Sequence, residues 1–362
     1  MNRVNQLNIE ATSQNLAEKV ERKMEKKVAG KSARMLEFDL LKCLAIFLVL
    51  CGHSIMHLSS ESASQNDLFF FISSFHMPLF MMIAGFFSWK TLQLPLKDIF
   101  NKKFMQLIYP TITFGIIYFL INVIVYSDEI KTFPSHMFTV FWFLKSCFLC
   151  YIVTYACLKI SRNKLLVGAI IAIIISQLLP VYKLAWMVPF FVIGLLVSQN
   201  YKFITAHSLT LFIISLICFS GFFIVFKRMP EVDLVTIKNE LLGGNFDSVK
   251  IYLLFQMSRI VIGSLGCCMF LSLFILLSEK FGKYFNNSLF LVYGQQTLGI
   301  YILQTLLLET ILSRLIENTS LSVGIFSYLM CPLLSLVIMD LCSSMMTLIN
   351  KKKRVNKLLM GV

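Results

Sequence analysis

The chain has 362 residues, of which 57% are hydrophobic and only 14% charged, against about 25% charged in an ordinary soluble domain. That much apolar surface, 34 phenylalanines included, exceeds what one soluble core can bury and excludes a water-soluble globular enzyme. The formal charge of +14 collects at the termini and in short segments between apolar runs, which suits membrane topology and argues against nucleic acid as a partner.

Residues 1–36 are polar and mixed in charge, with Glu18, Lys19, Glu21, Arg22, Lys23, Glu25, Lys26 and Lys27. No short apolar core precedes a small-residue cleavage site, so no cleavable signal peptide is expected. This stretch is expected to be a cytoplasmic extension lying near anionic lipid headgroups.

Ten apolar segments follow, at approximately 37–58, 67–89, 104–126, 136–158, 164–180, 183–199, 207–226, 251–277, 289–313 and 323–349. Each is close to the roughly 20 residues needed to cross about 30 Å of hydrocarbon. Backbone groups in lipid must be satisfied within the segment, so every one is predicted to be a helix. The expected fold is all-α: a polytopic membrane protein of about ten transmembrane helices with cytoplasmic N- and C-termini. Pro180 and Lys183 divide the fifth span from the sixth. One transmembrane domain, 37–349, is followed by a basic cytoplasmic tail, 350–362.

Most of the 33 lysines and arginines fall on the inward side of this arrangement, the outward segments holding only Lys131, Lys183, Lys227, Arg228, Lys238, Lys250 and Arg314. That bias sets the orientation, with the inner (plasma) membrane as the expected location. The longest outward loop, about 227–250 with Gly243 and Gly244, is a candidate lip for a binding cleft. No internal repeat is evident. All ten cysteines lie in apolar segments, so disulfides are not expected. Cys147 and Cys150 form a CxxC without a second pair or a nearby histidine, and read as small core residues rather than metal ligands.

Ionisable side chains inside lipid-spanning helices are costly, which makes each a candidate site residue. The first span carries Glu37, Asp39, Lys42, His53 and His57. Lys42 and His53 are eleven residues apart, three turns to within about 20°, and Asp39 lies within about 40° of the same face. One stripe therefore carries an acid and a base near the cytoplasmic side and an imidazole about 16 Å further in. Asp39 and Lys42 taken singly also suit snorkelling at the interface, whereas His53 sits too deep for that. The second span reaches His76 and Pro78 about 13 Å from the outer surface, so the two histidines are expected to meet in the outer half of the membrane. Pro78 is expected to loosen the turn before it, letting non-helical backbone line a cavity, the alternative being a kinked helix with a hydrogen-bonded core His76. Arg259, in the outer third of the eighth span, needs an acid, water or an anionic ligand. Lys145 is a weaker candidate. Lys102 and Lys103 suit either inward-facing charge or phosphate binding. No GxGxxG, Walker A, GxSxG or HExxH motif is present, which argues against ATP hydrolysis and zinc proteolysis, and no metal site is expected.

The first-span pattern Asp39-Leu40-Leu41-Lys42 with His53 resembles the signature of the membrane acyltransferase-3 family, in the subgroup similar to fucose 4-O-acetylases and other glycan O-acetylases. Further blocks agree in order along the chain: Phe75-His76-Met77-Pro78-Leu79-Phe80 with Gly85, Tyr109-Pro110, Trp142-Phe143-Leu144, Pro189-Phe190-Phe191 with Gly194, and Gly294-Gln295-Gln296-Thr297-Leu298-Gly299-Ile300-Tyr301. Two positions depart from the family pattern. Lys42 stands where many members have Arg, and Gln304 follows Ile300-Tyr301 where many carry a His. The resemblance implies transfer of an acetyl or other short acyl group from cytoplasmic acyl-CoA to a hydroxyl of a cell-surface or exported glycan, free or lipid-linked. Acetyl-CoA would be a cosubstrate, with no tightly bound cofactor. His53 would act as base or transient acyl carrier, Asp39 and Lys42 would hold the donor or orient the helix, and His76 and Arg259 would place the acceptor or stabilise an oxyanion. Lys102 and Lys103 are the alternative donor site. The rival reading is a polysaccharide or lipid-linked sugar exporter that uses the same charges as a relay.

Overall fold

Every described element is a helix, as backbone immersed in lipid requires. The computed structural model describes residues 35–58, 65–126, 131, 133–179, 181–228, 246–285, 288–313 and 326–361. The N-terminal extension up to residue 34, Pro180, Arg314 and most of the outward loop with Lys238, Gly243 and Gly244 lie outside the described residues. Glu37–Val362 forms one compact unit.

Among the described residues, seven helices are long and apolar enough to cross a membrane, and three shorter apolar ones accompany them at Leu165–Gln177, Leu184–Gln199 and Thr297–Leu312. The first, α1 (Leu36–Leu58), is apolar almost all round and lies innermost. Within α1 78% of the most apolar window is buried, against 17% in Ser208–Phe226, so the ionisable groups of α1 are surrounded by protein and the other helix by lipid.

Helix α2 (Asp67–Phe86) is opened by the Asn66 side chain, which accepts the Phe69 backbone N–H at 3.0 Å, with Asp67 in its first turn. Helices α3 (Leu96–Lys103) and α4 (Tyr109–Tyr126) are joined by a π-helical turn at Phe104–Ile108. Then come α5 (Phe133–Thr139), α6 (Trp142–Ile160), α7 (Leu165–Gln177), α8 (Leu184–Gln199), α9 (Tyr201–Ala206) and α10 (Ser208–Phe226). The 40-residue α11 (Phe246–Phe285) is followed by α12 (Leu289–Gln295), α13 (Thr297–Gln304), a π-helix at Thr305–Leu312, α14 (Cys331–Lys351) and α15 (Lys353–Met360). Lys227, just past α10, pairs with Asp67 at the start of α2.

Two glycines let α2 and α8 touch backbone to backbone. A Cβ on Gly85 would fall 1.9 Å from the Phe191 carbonyl oxygen, and one on Gly194 would fall 1.9 Å from that of Met82. The crossing is reciprocal, like the small-residue contacts of membrane helix pairs. Gly263 and Gly266 of α11 likewise admit the rings of Phe190 and Phe75.

Several expectations change. The helix α2 runs unbroken through Pro78, so no non-helical backbone appears there. Its neighbours hold it in register on both sides of the missing N–H, Pro78 itself packing at the Gly263 position of α11. The fourth span starts at Trp142 rather than 136 because Phe141 adopts a left-handed conformation, φ 54°, which ends α5 and starts α6. At about 1.5 Å per residue α11 is about 60 Å long, twice the hydrocarbon thickness, and so exceeds the predicted 251–277 at both ends. The ninth span is not one helix. It breaks at Gln296, whose side chain donates to Thr347 Oγ1 at 3.1 Å and accepts from Ser343 Oγ at 2.8 Å, both on α14. The basic tail is helical and anchored: Tyr109 and Thr113 of α4 donate to the carbonyls of Leu358 and Leu359 at 3.0 and 2.8 Å. Gly361, φ 72°, caps it in the left-handed conformation.

Candidate functional site

Asp39 and Lys42 are neighbours on the surface of α1, and Lys42 Nζ lies 3.2 Å from Asp39 Oδ1. Asp39 is buried and Lys42 half-buried, with the ammonium 5.3 Å from the centre of the Phe87 ring. Behind the pair, a Cβ on Gly294 would sit 1.9 Å from the Asp39 carbonyl oxygen, so α12 abuts the α1 backbone and fixes where the pair stands. Glu37, a half-turn earlier, accepts from the Tyr201 hydroxyl of α9. Burial, reinforced by that carboxylate, pushes the Tyr201 phenol up.

Lys42 forms one end of an apolar cavity of about 230 Å³ whose walls include Phe80, Phe87, Leu144, Cys147 and Tyr151. Val49, Met77 and Tyr301 also line it. Val49 is one helical turn before His53 on α1, and Met77 precedes Pro78 on α2. Lys103 lies 4.2 Å from the centre of the Tyr151 ring, at the cavity wall, and donates to Gln106 Oε1 at 3.1 Å. Lys102 is exposed.

His53 Nδ1 is 3.1 Å from Glu309 Oε1, and both side chains keep about a fifth to a quarter of their exposure, 24% and 19%. The atoms are at contact distance but out of line for a hydrogen bond, and His53 Nδ1 has no other partner. Glu309 projects from the π-helix Thr305–Leu312. Such wider turns are uncommon and recur at functional sites because they shift a side chain relative to the α-helical register. His57, one turn beyond His53, lies with its ring nearly parallel at 10° and 5.8 Å between centroids.

His76 Nδ1 is 2.7 Å from the Ile72 carbonyl oxygen. A carbonyl only accepts, so Nδ1 carries the proton and Nε2 of the neutral ring is left as an acceptor. His53 and Lys183 each lie within electrostatic range of His76. Arg259 stacks on Trp186, its guanidinium carbon 3.9 Å from the ring centre, and Lys183 stands over Trp142 at 4.5 Å. Lys145 serves the fold rather than the site. Its ammonium donates to the carbonyls of Phe138 and Val140 at 3.1 and 2.7 Å, and to that of Met137. Those oxygens close the C-terminal end of α5, which a cation stabilises.

Glu309 is the site residue that sequence reasoning missed. Its signal was an ionisable group inside the ninth apolar segment, the same criterion that singled out His53. Asp340 of α14 met that criterion too, and it accepts from the Tyr293 hydroxyl at 2.8 Å. Gln304, in the position where many family members have a His, is fully buried and donates to Thr305 Oγ1 at 2.9 Å.

Residues 35–342 match the family model for the acyltransferase-3 domain, described as "Acyltransferase domain". The chain is also similar to the nodulation protein NolL of Mesorhizobium japonicum (strain LMG 29417 / CECT 9101 / MAFF 303099), with 26% identity over 219 residues, covering 53% of this chain. It spans 58% of that relative's length. No solved structure matches. The family match covers the cavity, the Asp39–Lys42 pair and the His53–Glu309 pair alike, and on that match the chain belongs to the acyltransferase-3 family.

Proposed function

We propose that this membrane acyltransferase moves an acetyl or other short acyl group from cytoplasmic acyl-CoA to a hydroxyl of a cell-surface or exported glycan, free or lipid-linked. The observation that carries the reading is an apolar cavity lined on α1 by Lys42, the partner of Asp39, and by Val49, one helical turn before the His53–Glu309 pair. The slender thioester arm of the donor fits such a channel, its charged end held at Lys42 and Lys103. The positive-inside distribution puts that end in the cytoplasm and His53 toward the outside, in the inner (plasma) membrane.

Chemistry follows from which atoms carry protons. With Glu309 accepting from His53 Nδ1–H, Nε2 is free to take the acceptor hydroxyl's proton as its oxygen attacks the thioester carbonyl. The pair's off-line geometry in the absence of substrate is of the kind that tightens when the acceptor arrives. Collapse of the tetrahedral adduct breaks the carbon–sulfur bond, and the imidazolium returns its proton to the departing thiolate. Neutral His76 contributes Nε2 as acceptor for a second sugar hydroxyl. It has no hydrogen to offer an oxyanion, so that role falls to donors such as the Arg259 guanidinium. The Trp186 ring beside Arg259 supplies a flat apolar face for the sugar. No bound cofactor is needed.

The donor end is tested by following labelled acetyl-CoA into extracted glycan at saturating acceptor. Removing the Lys42 charge takes a close cationic partner from buried Asp39. Lys42→Gln is expected to raise the KM for acetyl-CoA at least about tenfold, near 1.4 kcal/mol, while Lys42→Arg keeps most activity. Equal KM values for wild type and Lys42→Gln would show that the pair is only an interfacial anchor.

A further inference from the structure

His57 has no part in the transfer step, yet it is aimed at the two residues that perform it. The donor atoms of His53, His57 and Glu309 all lie within 4.8 Å of one another. His53 Nδ1 and His57 Nε2 are buried and have no hydrogen-bond partner. Unpartnered nitrogens in a membrane interior are costly, and both histidines offer a ring nitrogen within 4.8 Å of the Glu309 carboxylate. The His53–Glu309 contact of 3.1 Å already approximates the roughly 3.4 Å separation of two ligands on one tetrahedral zinc ion. Histidines at i and i+4 on one helix face, with a carboxylate from another helix, make a three-ligand set that leaves a fourth position open. The ring planes are parallel within 10°, so a rotation of the His57 ring about its χ2 is needed to bring its in-plane lone pair onto the same ion.

We propose that His53, His57 and Glu309 form a binding site for a divalent transition ion of the zinc class, and that its occupation switches transfer off. The second half rests on the reading of His53 as the base. A neutral imidazole carries one proton. Metal on Nδ1 forces that proton onto Nε2, and the nitrogen that must accept from the sugar hydroxyl becomes a donor. The ion also takes the Glu309 oxygen that orients the ring. No bond in the substrates is made or broken, and the loss is reversed by chelation.

The test uses tag-free full-length protein in detergent, with zinc alone as the titrant and no substrate present. Calorimetry is expected to show one equivalent bound by wild type. His57→Ala and His57→Gln are both expected to weaken binding at least about tenfold, with melting temperatures in chelator matching wild type. In chelator both variants keep wild-type transfer rates, and saturating zinc slows wild type at least tenfold but leaves the variants unslowed. Absence of stoichiometric binding, or equal binding by the His57 variants, overturns the site whatever the catalytic assays give. Zinc bound through His57 without loss of transfer overturns the switch, as does chelation that abolishes wild-type activity. The base reading fails separately, if His53→Ala remains active in chelator.

Discussion

His53→Ala is expected to lower the rate of acyl transfer by about 10² to 10⁴, the range for losing a positioned general base, while the protein still inserts and purifies folded. The side chain is half-buried and its Nδ1 has no hydrogen-bond partner, so its removal opens little apolar packing and breaks no network. Kinetic form identifies the role. Loss of a group that acts only in the transition state lowers kcat and leaves the KM for acetyl-CoA near wild type. Glu309→Gln keeps shape and volume but presents an amide that can donate to His53 and favour the wrong tautomer, so a loss of about 10² or more is expected. Stopped or quenched turnover of purified protein with labelled acetyl-CoA measures both. More than half of wild-type activity in His53→Ala would remove the imidazole from the mechanism.

A large effect on stability is expected at Gly194, as at Gly85 and Gly294, where a Cβ meets backbone equally closely. Even the methyl group of Gly194→Ala would stand 1.9 Å from the Met82 carbonyl oxygen and 2.8 Å from the Phe86 nitrogen. Both are backbone atoms of α2, which cannot rotate away as a side chain can. The two helices must separate, disturbing Met77, Phe80 and Ile83 in the cavity wall. A cost of at least about 3 kcal/mol is expected, read as a lower melting temperature and a smaller folded yield in detergent. Gly221 provides the control, because nothing lies within 4 Å of a Cβ there. Gly221→Ala is expected to be neutral or to stabilise by up to about 1 kcal/mol through helix propensity. Identical melting of Gly194→Ala and wild type would mean that the α2–α8 crossing is not a close contact.

These glycines also show what the sequence made legible. Apolar runs and the rule of internally satisfied backbone were enough to predict helices, because in lipid there is no competing backbone state. The Asp39–Lys42 spacing was enough to make them surface neighbours. The motif blocks with Gly85 and Gly194 were recognisable, but their reason was not, since a close approach between α2 and α8 is a tertiary fact. Boundaries erred where local chemistry beat hydropathy. Phe141 turned left-handed, Gln296 exchanged helix continuity for two bonds to α14, and α11 carried its helix past the apolar segment. Pro78 failed to break α2 because packing against α11 outweighed one lost hydrogen bond. Lys145 looked functional by depth alone and proved to close a neighbouring helix. Glu309 escaped notice because the stripe on α1 is a property of one helix. The partner of His53 comes from a π-turn more than 250 residues away, and a 3.6-residue periodicity gives no warning of that.

Sidedness offers the most direct measurement. Sealed vesicles containing the protein and acceptor glycan receive labelled acetyl-CoA only on the face that carries the Asp39–Lys42 end, oriented by a cysteine at the exposed Asn163 probed with an impermeant thiol reagent. The account predicts that wild type delivers label to glycan hydroxyls on the opposite face, and that vesicles of His53→Ala, with the same amount of inserted protein, deliver none. Label on the opposite glycan at equal rates in both proteins would contradict it.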